Sequence, residues 1–226
     1  MCFTPHYPSG TLSLMPPDII DWAIQQTDTA GVLLSLIPKP HILVNGVPAG
    51  GCFDCVDGMV RVATGRPRKI WSETLIHEVC HMHQWRERID LWNAQDIGGI
   101  DVGNFVNYWL TGMIELNWHQ RNKYFGLVRQ LELDCEMRTA ETIGKMAFGI
   151  DQAQYIAQAN AYIFFHEVAL RNRVWIKPKS LTQQSRRLDE LCPSEFLPAD
   201  DYVDVETWCD LHDFLLQKCA ISLLPS

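Results

Sequence analysis

The chain has 226 residues, 47% of them hydrophobic, enough to bury one substantial core or one core with a small appendage. Its formal net charge of -8 excludes a general affinity for nucleic acid or anionic membrane surfaces, because phosphate binding needs clustered Lys and Arg. The longest apolar stretch, residues 31–37, falls far short of the roughly 20 residues that a membrane-spanning helix needs, so neither nucleic acid nor membrane is expected as a partner.

Residues 1–17 are rich in Pro, Ser and Thr and predict an irregular lead-in. No export signal is readable there, so the eight cysteines are expected as reduced thiols and the chain as cytoplasmic, or in a virion if phage-encoded. Asp18 is placed to cap a short helix that turns Ile19, Trp22 and Ala23 inward. Strands are expected at residues 41–45 and 59–64, with Gly and Asp turn signals over residues 47–58. Ser72 then stands ahead of a helical stretch reaching about Arg88, in which Leu75, Ile76, Val79, Met82 and Trp85 share one face.

A Gly-rich loop at residues 96–103 leads into an aromatic segment, 105–118, with weak helical character. The pattern Tyr124, Leu127, Val128, Leu131, Cys135 and Thr139 predicts a long helix over about residues 120–148. Gly149 closes it, and Asp151 with Gln154 opens another in the manner of a capping box, ending near Asn172. Beyond that point the charges separate: residues 171–187 hold six Lys or Arg and no acid, and residues 188–217 hold nine acids and no Lys or Arg. This divides the chain into a main domain, residues 1–177, and a charged extension, residues 178–226. The extension reads as a solvated, self-attracting tail or as an interaction element for a virion or host protein.

The chemistry is concentrated in His77-Glu78-Val79-Cys80-His81. Histidines four apart on a helix stand about 40° apart around the axis, so both imidazoles can bind one zinc ion. Glu78, adjacent to the first of them, can take a proton from zinc-bound water and return it to a leaving amine. A catalytic zinc keeps three protein ligands and one open position. In Glu132-Leu133-Asp134-Cys135-Glu136 two carboxylates four apart share a helix face, so Glu132 is the expected third ligand, with Glu136 orienting a histidine; the reverse assignment is geometrically open. His119 is the competing ligand, while His83 points about 160° away from His81 and is expected at the surface or in packing. His166 and Tyr162 are candidate donors to the transition-state oxyanion. The strand at residues 59–64 is the candidate edge for an extended peptide. Cys52-Phe53-Asp54-Cys55 lacks the second cysteine pair that a structural zinc site requires, and Cys80 and Cys135 are expected as small core fillers.

The two histidines, followed about fifty residues later by Glu132-x-x-Cys135-Glu136, resemble the gluzincin metallopeptidases. The stretch from Thr74 to Trp85 is similar to uncharacterised phage and prophage proteins carrying a metallopeptidase domain, and Ala159-Asn160-Ala161-Tyr162 belongs to the same pattern. The resemblance covers residues 40–172 and implies a zincin-like α+β fold, mainly helical with a small β-sheet. One departure is Glu136, where better-known gluzincins often carry Asp. A likeness to SprT-like metalloproteases rests on the first motif alone and requires His119 as ligand. The expected function is hydrolysis of peptide bonds in a peptide or protein substrate, with one Zn2+ per chain. The alternatives are a catalytically inactive zinc-scaffold binding protein and a phage-associated amide hydrolase acting on peptidoglycan.

Overall fold

The computed structural model describes residues 18–44, 46–174, 190–206 and 208–222, and is mixed α+β, mainly helical with a small sheet. The lead-in, Asn45 and most of the basic run at 171–187 lie outside the described residues. Among those described, no helix is long and apolar enough to cross a membrane.

Helix α1, Ile19–Ala30, starts where Asp18 accepts the Ile20 N–H at 2.9 Å, and stops at Gly31, whose φ of 67° suits a residue without Cβ. Strand β1, Leu33–Ile37, pairs in parallel with β5, Met59–Ala63; β5 in turn pairs antiparallel with β4, Gly51–Asp54. The order β1-β5-β4 makes β5 the middle strand. This corrects the edge assignment: Val60, Val62 and Ala63 are fully buried, and the edges are β1 and β4, the latter within the segment expected as a turn. Gly51, Cys52 and Asp54 carry too weak an apolar alternation to reveal it. A separate hairpin joins β2, Ile42–Val44, to β3, Val47–Ala49.

Helix α2, Arg68–Glu87, begins upstream of the expected cap. Pro67 occupies the N-cap position, and Ser72 is buried inside the helix. Leu75, Ile76, Val79 and Met82 are fully buried against α1 and the sheet; each such side chain contributes about 1.5–3 kcal/mol relative to exposure. The short α3, Asp90–Asn93, and α4, Val102–Leu110, follow. Helix α5, Trp118–Met146, starts with a full capping box between Asn117 and Gln120 and links the two cores of the molecule. Its C-terminal half, through Cys135, Ala140 and Ile143, packs with α1, α2 and the sheet, while Tyr124, Phe125 and Leu133 pack with α4 and α6, Gln152–Asn172. Asp151 accepts the Gln154 N–H at 3.1 Å, where the sequence places a cap.

Part of the acidic extension is core. After the 3-10 turn Ala199–Val203, helix α7, Cys209–Ser222, lies on α6, and Tyr202, Trp208, Leu211, Phe214 and Leu215 are buried in the same cluster as Phe164 and Phe165. The fully buried Asn160 latches it, donating to the carbonyls of Pro193 at 2.8 Å and Glu195 at 2.9 Å while its own oxygen accepts from the Tyr202 hydroxyl.

Candidate metal centre

Helix α2 presents His77 and His81 one turn apart, with ring centroids 4.6 Å apart and planes perpendicular. Helix α5 crosses them with Glu132 and Glu136. One Glu132 carboxylate oxygen, Oε2, lies 3.5 Å from His77 Nε2; the other, Oε1, lies 3.6 Å from His81 Nε2. These separations are long for hydrogen bonds. They match the ligand-to-ligand distance around a tetrahedral ion with bonds near 2.0–2.2 Å, about 3.3–3.6 Å. Glu132 Oε2 is buried without a hydrogen-bond partner, a penalty that coordination of a cation would remove.

Each imidazole is held by its other nitrogen. Gln84 donates through its amide nitrogen to the Leu131 carbonyl at 3.0 Å and to Asp134 at 2.7 Å, so the oxygen 2.7 Å from His81 Nδ1 is an acceptor. His81 therefore carries a proton on Nδ1 and can turn a lone pair on Nε2 towards Glu132. Glu136 Oε1 lies 3.4 Å from His77 Nδ1, and its second oxygen accepts a short hydrogen bond from Tyr155.

Two groupings of ligand-type atoms lie within 4.8 Å of one another: His77 with Glu132 and Glu136, and His77 with His81 and Cys135. Glu136 is engaged on both oxygens, and Cys135 faces His77 Nδ1 at 3.6 Å while its thiol donates to the His77 carbonyl at 3.3 Å. Only Glu132 turns its oxygens towards both Nε2 atoms. His77, His81 and Glu132, with Glu136 behind His77, thus form a group that could hold a metal ion. Cys135 is more than core filler, since it ties α5 to α2 at the first histidine.

The electrostatics are those of ion pairs. Burial alone would push the His77 and His81 imidazoles down, but the Cys135 sulfur, with Glu136 at His77 and Glu132 at His81, outweighs it and holds both well above the usual range. Against its own burial, Glu132 is held well below the usual carboxylate range by His81 and His77.

Glu78 points from α2 to β4. Its burial raises its pKa, the two imidazoles and a hydrogen bond from the Phe53 N–H lower it, and Glu132 raises it, leaving the carboxyl above its ordinary value. The approach of strand to helix requires Gly51, where a Cβ would lie 2.8 Å from the Thr74 methyl and 2.9 Å from Glu78 Cγ. Between β3, β4 and the N-terminal half of α2 runs a cleft of about 650 Å³ that reaches His77, Glu78, Glu136, Tyr155 and Tyr162.

Tyr162 lines this cleft, and burial with the neighbouring Glu132 keeps its hydroxyl protonated well above the usual tyrosine range. His166 does not line it. The residue is 1% exposed, one turn behind Tyr162, with Nδ1 3.1 Å from the Tyr162 carbonyl and the rings edge to face, so it does not face the cleft as an oxyanion donor would. His119 is exposed in the first turn of α5, thirteen residues before Glu132 and hence about 20 Å along the helix, and is not brought to the histidines. His83 is half-buried away from the group. Cys52 is half-buried on β4 and Cys55 exposed beyond it, and among the described residues neither belongs to a metal-type cluster.

Comparison with protein-family models, curated proteins and solved structures returns no match for this chain. What the site does therefore rests on its own geometry. Gln84 and Tyr155 were not read from the sequence. Gln84 was reachable, being three residues from His81 on one helix face. Tyr155 was not, because only the packing of α6 on α5 brings it to Glu136.

Proposed function

We propose that this chain is a zinc-dependent metallopeptidase of gluzincin type, with His77, His81 and Glu132 holding the ion. The observation that carries the proposal is the Glu132 carboxylate spanning both Nε2 atoms, with each Nδ1 facing a different side chain. The small sheet, whose antiparallel edge strand runs beside the two-histidine helix with the glutamate helix packed on it, is compatible with a zincin-like fold. Zinc bound there supplies Lewis acidity, lowering the pKa of water towards about 7 and polarising the scissile carbonyl.

The chain's own residues supply the rest. Glu78, held by the Phe53 N–H, takes a proton from the attacking water; its raised pKa suits it to hand that proton to the nitrogen of the breaking C–N bond, giving a carboxylic acid and an amine. Tyr162 donates its hydroxyl hydrogen bond to the carbonyl oxygen as negative charge grows there. Among the described residues strand β4 pairs on one side only, with β5, and its outer edge can hold an extended peptide by backbone hydrogen bonds.

The test is zinc per chain by elemental analysis, paired with hydrolysis of a mixed peptide pool. Near one zinc in the wild type, lost in His77→Ala and Glu132→Ala, is expected. Glu78→Gln should keep the metal and lose hydrolysis by at least about 100-fold. Zinc retention with no hydrolysis by the wild type would leave a zinc-scaffold binding protein, and absence of zinc after reconstitution would remove both readings.

A further inference from the structure

The cleft does not end at the metal centre. It continues along the N-terminal half of α2 to Arg66, just ahead of that helix, and Glu73 faces the same space. Arg66 is half-buried, yet among the described residues it makes no hydrogen bond and no ion pair within 4.0 Å. Its guanidinium lies against the backbone ahead of β4, where Gly50 makes room: a Cβ on Gly50 would meet Nη1 at 2.7 Å. A half-exposed guanidinium without an acceptor keeps its donors for a ligand, and their fork matches a carboxylate.

Among the described residues Arg66 is the one Lys or Arg that lines the cleft. Lys69, outside the lining, holds its Nζ 4.0 Å from Glu73 Oε1. Glu73 is itself 9% exposed, and the same Oε1 has no hydrogen-bond partner. Arg66 and Glu73 thus face one cleft without touching, the first offering donors and the second an acceptor. A peptide segment supplies the complement of both, a carboxylate for Arg66 and a backbone N–H for Glu73.

Resting on the peptidase reading, we infer that Arg66 is a specificity residue that captures a carboxylate of the substrate, carried by the peptide C-terminus or by an acidic side chain. His77 lies nine residues beyond the first residue of α2, about 14 Å along its axis, which an extended peptide covers in roughly four residues. The carboxylate therefore sits within about four residues of the scissile bond.

The test uses the zinc-loaded full chain carrying Glu78→Gln, so that peptides bind without being consumed. The probes are a fluorescein-labelled alanine pentapeptide with a free C-terminus, its C-terminal amide, and that amide with one glutamate placed at each position in turn, read by fluorescence anisotropy. The free acid, or the amide with glutamate at one position, should bind at least tenfold more tightly than the neutral amide. The first result identifies a C-terminal carboxylate and the second an acidic side chain. Arg66→Gln should abolish the preference and Arg66→Lys retain part of it, with unchanged melting temperatures because among the described residues Arg66 makes no hydrogen bond or ion pair. Equal binding of acid and amide, no binding of any probe, or a preference that survives Arg66→Gln would overturn the inference. Hydrolysis by the wild type separates the two readings. A carboxylate preference lost with Arg66 but no cleavage would keep this inference and sink the peptidase; cleavage without the preference would do the reverse.

Discussion

Gln84 fixes the orientation of His81: its side-chain oxygen lies 2.7 Å from Nδ1, and its nitrogen is committed to Leu131 and Asp134 on α5. One side chain thereby sets the His81 tautomer and locks α2 to α5. Gln84→Ala should weaken zinc binding by about 10- to 100-fold, as loss of such supporting partners does. Competition titration against a chelator of known affinity measures this, and an unchanged affinity would mean that Gln84 serves packing alone.

Zinc binding should release protons. Without metal, neighbouring Cys135 and carboxylates hold both imidazoles well above their ordinary range, which favours their protonated forms, and coordination through Nε2 displaces any proton held there. Affinity then rises with pH and falls on acidification. Calorimetric titration at pH 7 in buffers of different ionisation enthalpy should give roughly one to two protons per zinc; a value near zero would argue against imidazole ligation.

Glu73 should make the fold less stable as pH rises through the weakly acidic range. Burial pushes its carboxyl up to about 7 from an ordinary 4.5, so between these values the unfolded chain has lost the proton that the folded chain keeps. The stability contributed by the protonated form is present below pH 4.5 and gone above pH 7. Glu73→Gln, neutral throughout, should match the wild type near pH 4 and exceed it at pH 8 by on the order of 2 kcal/mol. Urea unfolding at both pH values checks the sign, and a variant destabilised equally at both would refute the account.

The acidic extension should not be removable. Truncation after residue 189 would expose the face of α6 that Trp208, Leu211, Phe214 and Leu215 cover, and the chain is expected to lose solubility rather than merely a binding partner. Tyr202→Phe is the milder probe. Loss of its hydrogen bond with Asn160 leaves a fully buried amide oxygen unsatisfied, which should cost about 1–3 kcal/mol in urea unfolding. A soluble truncated protein with unchanged melting would show that the extension is an appendage after all.

Taken by itself, the sequence determined the elements whose signal is local. Helices α1, α2, α5 and α6, the Asp18 and Asp151 caps, the buried face of α2 and the pairing of residues four apart all follow from a 3.6-residue period and from caps one turn away. It therefore brought His77 together with His81, and Glu132 with Glu136, while leaving open which glutamate faces the histidines and where His119 lies. Tertiary structure turns the Glu132 oxygens towards both Nε2 atoms and leaves His119 exposed at the far end of α5. Packing of α6 on α5 brings Tyr155 to Glu136, and Gln84 reaches across from α2 to α5, so roles depend on contacts between groups 19 and 50 residues apart. The edge strand was hidden for the same reason. Gly51 is read locally as a turn, and only the nearness of Thr74 and Glu78 shows that a strand needs a glycine there. The acidic tail reads as solvated from its charge, but its aromatic residues are buried once α6 offers them an apolar face.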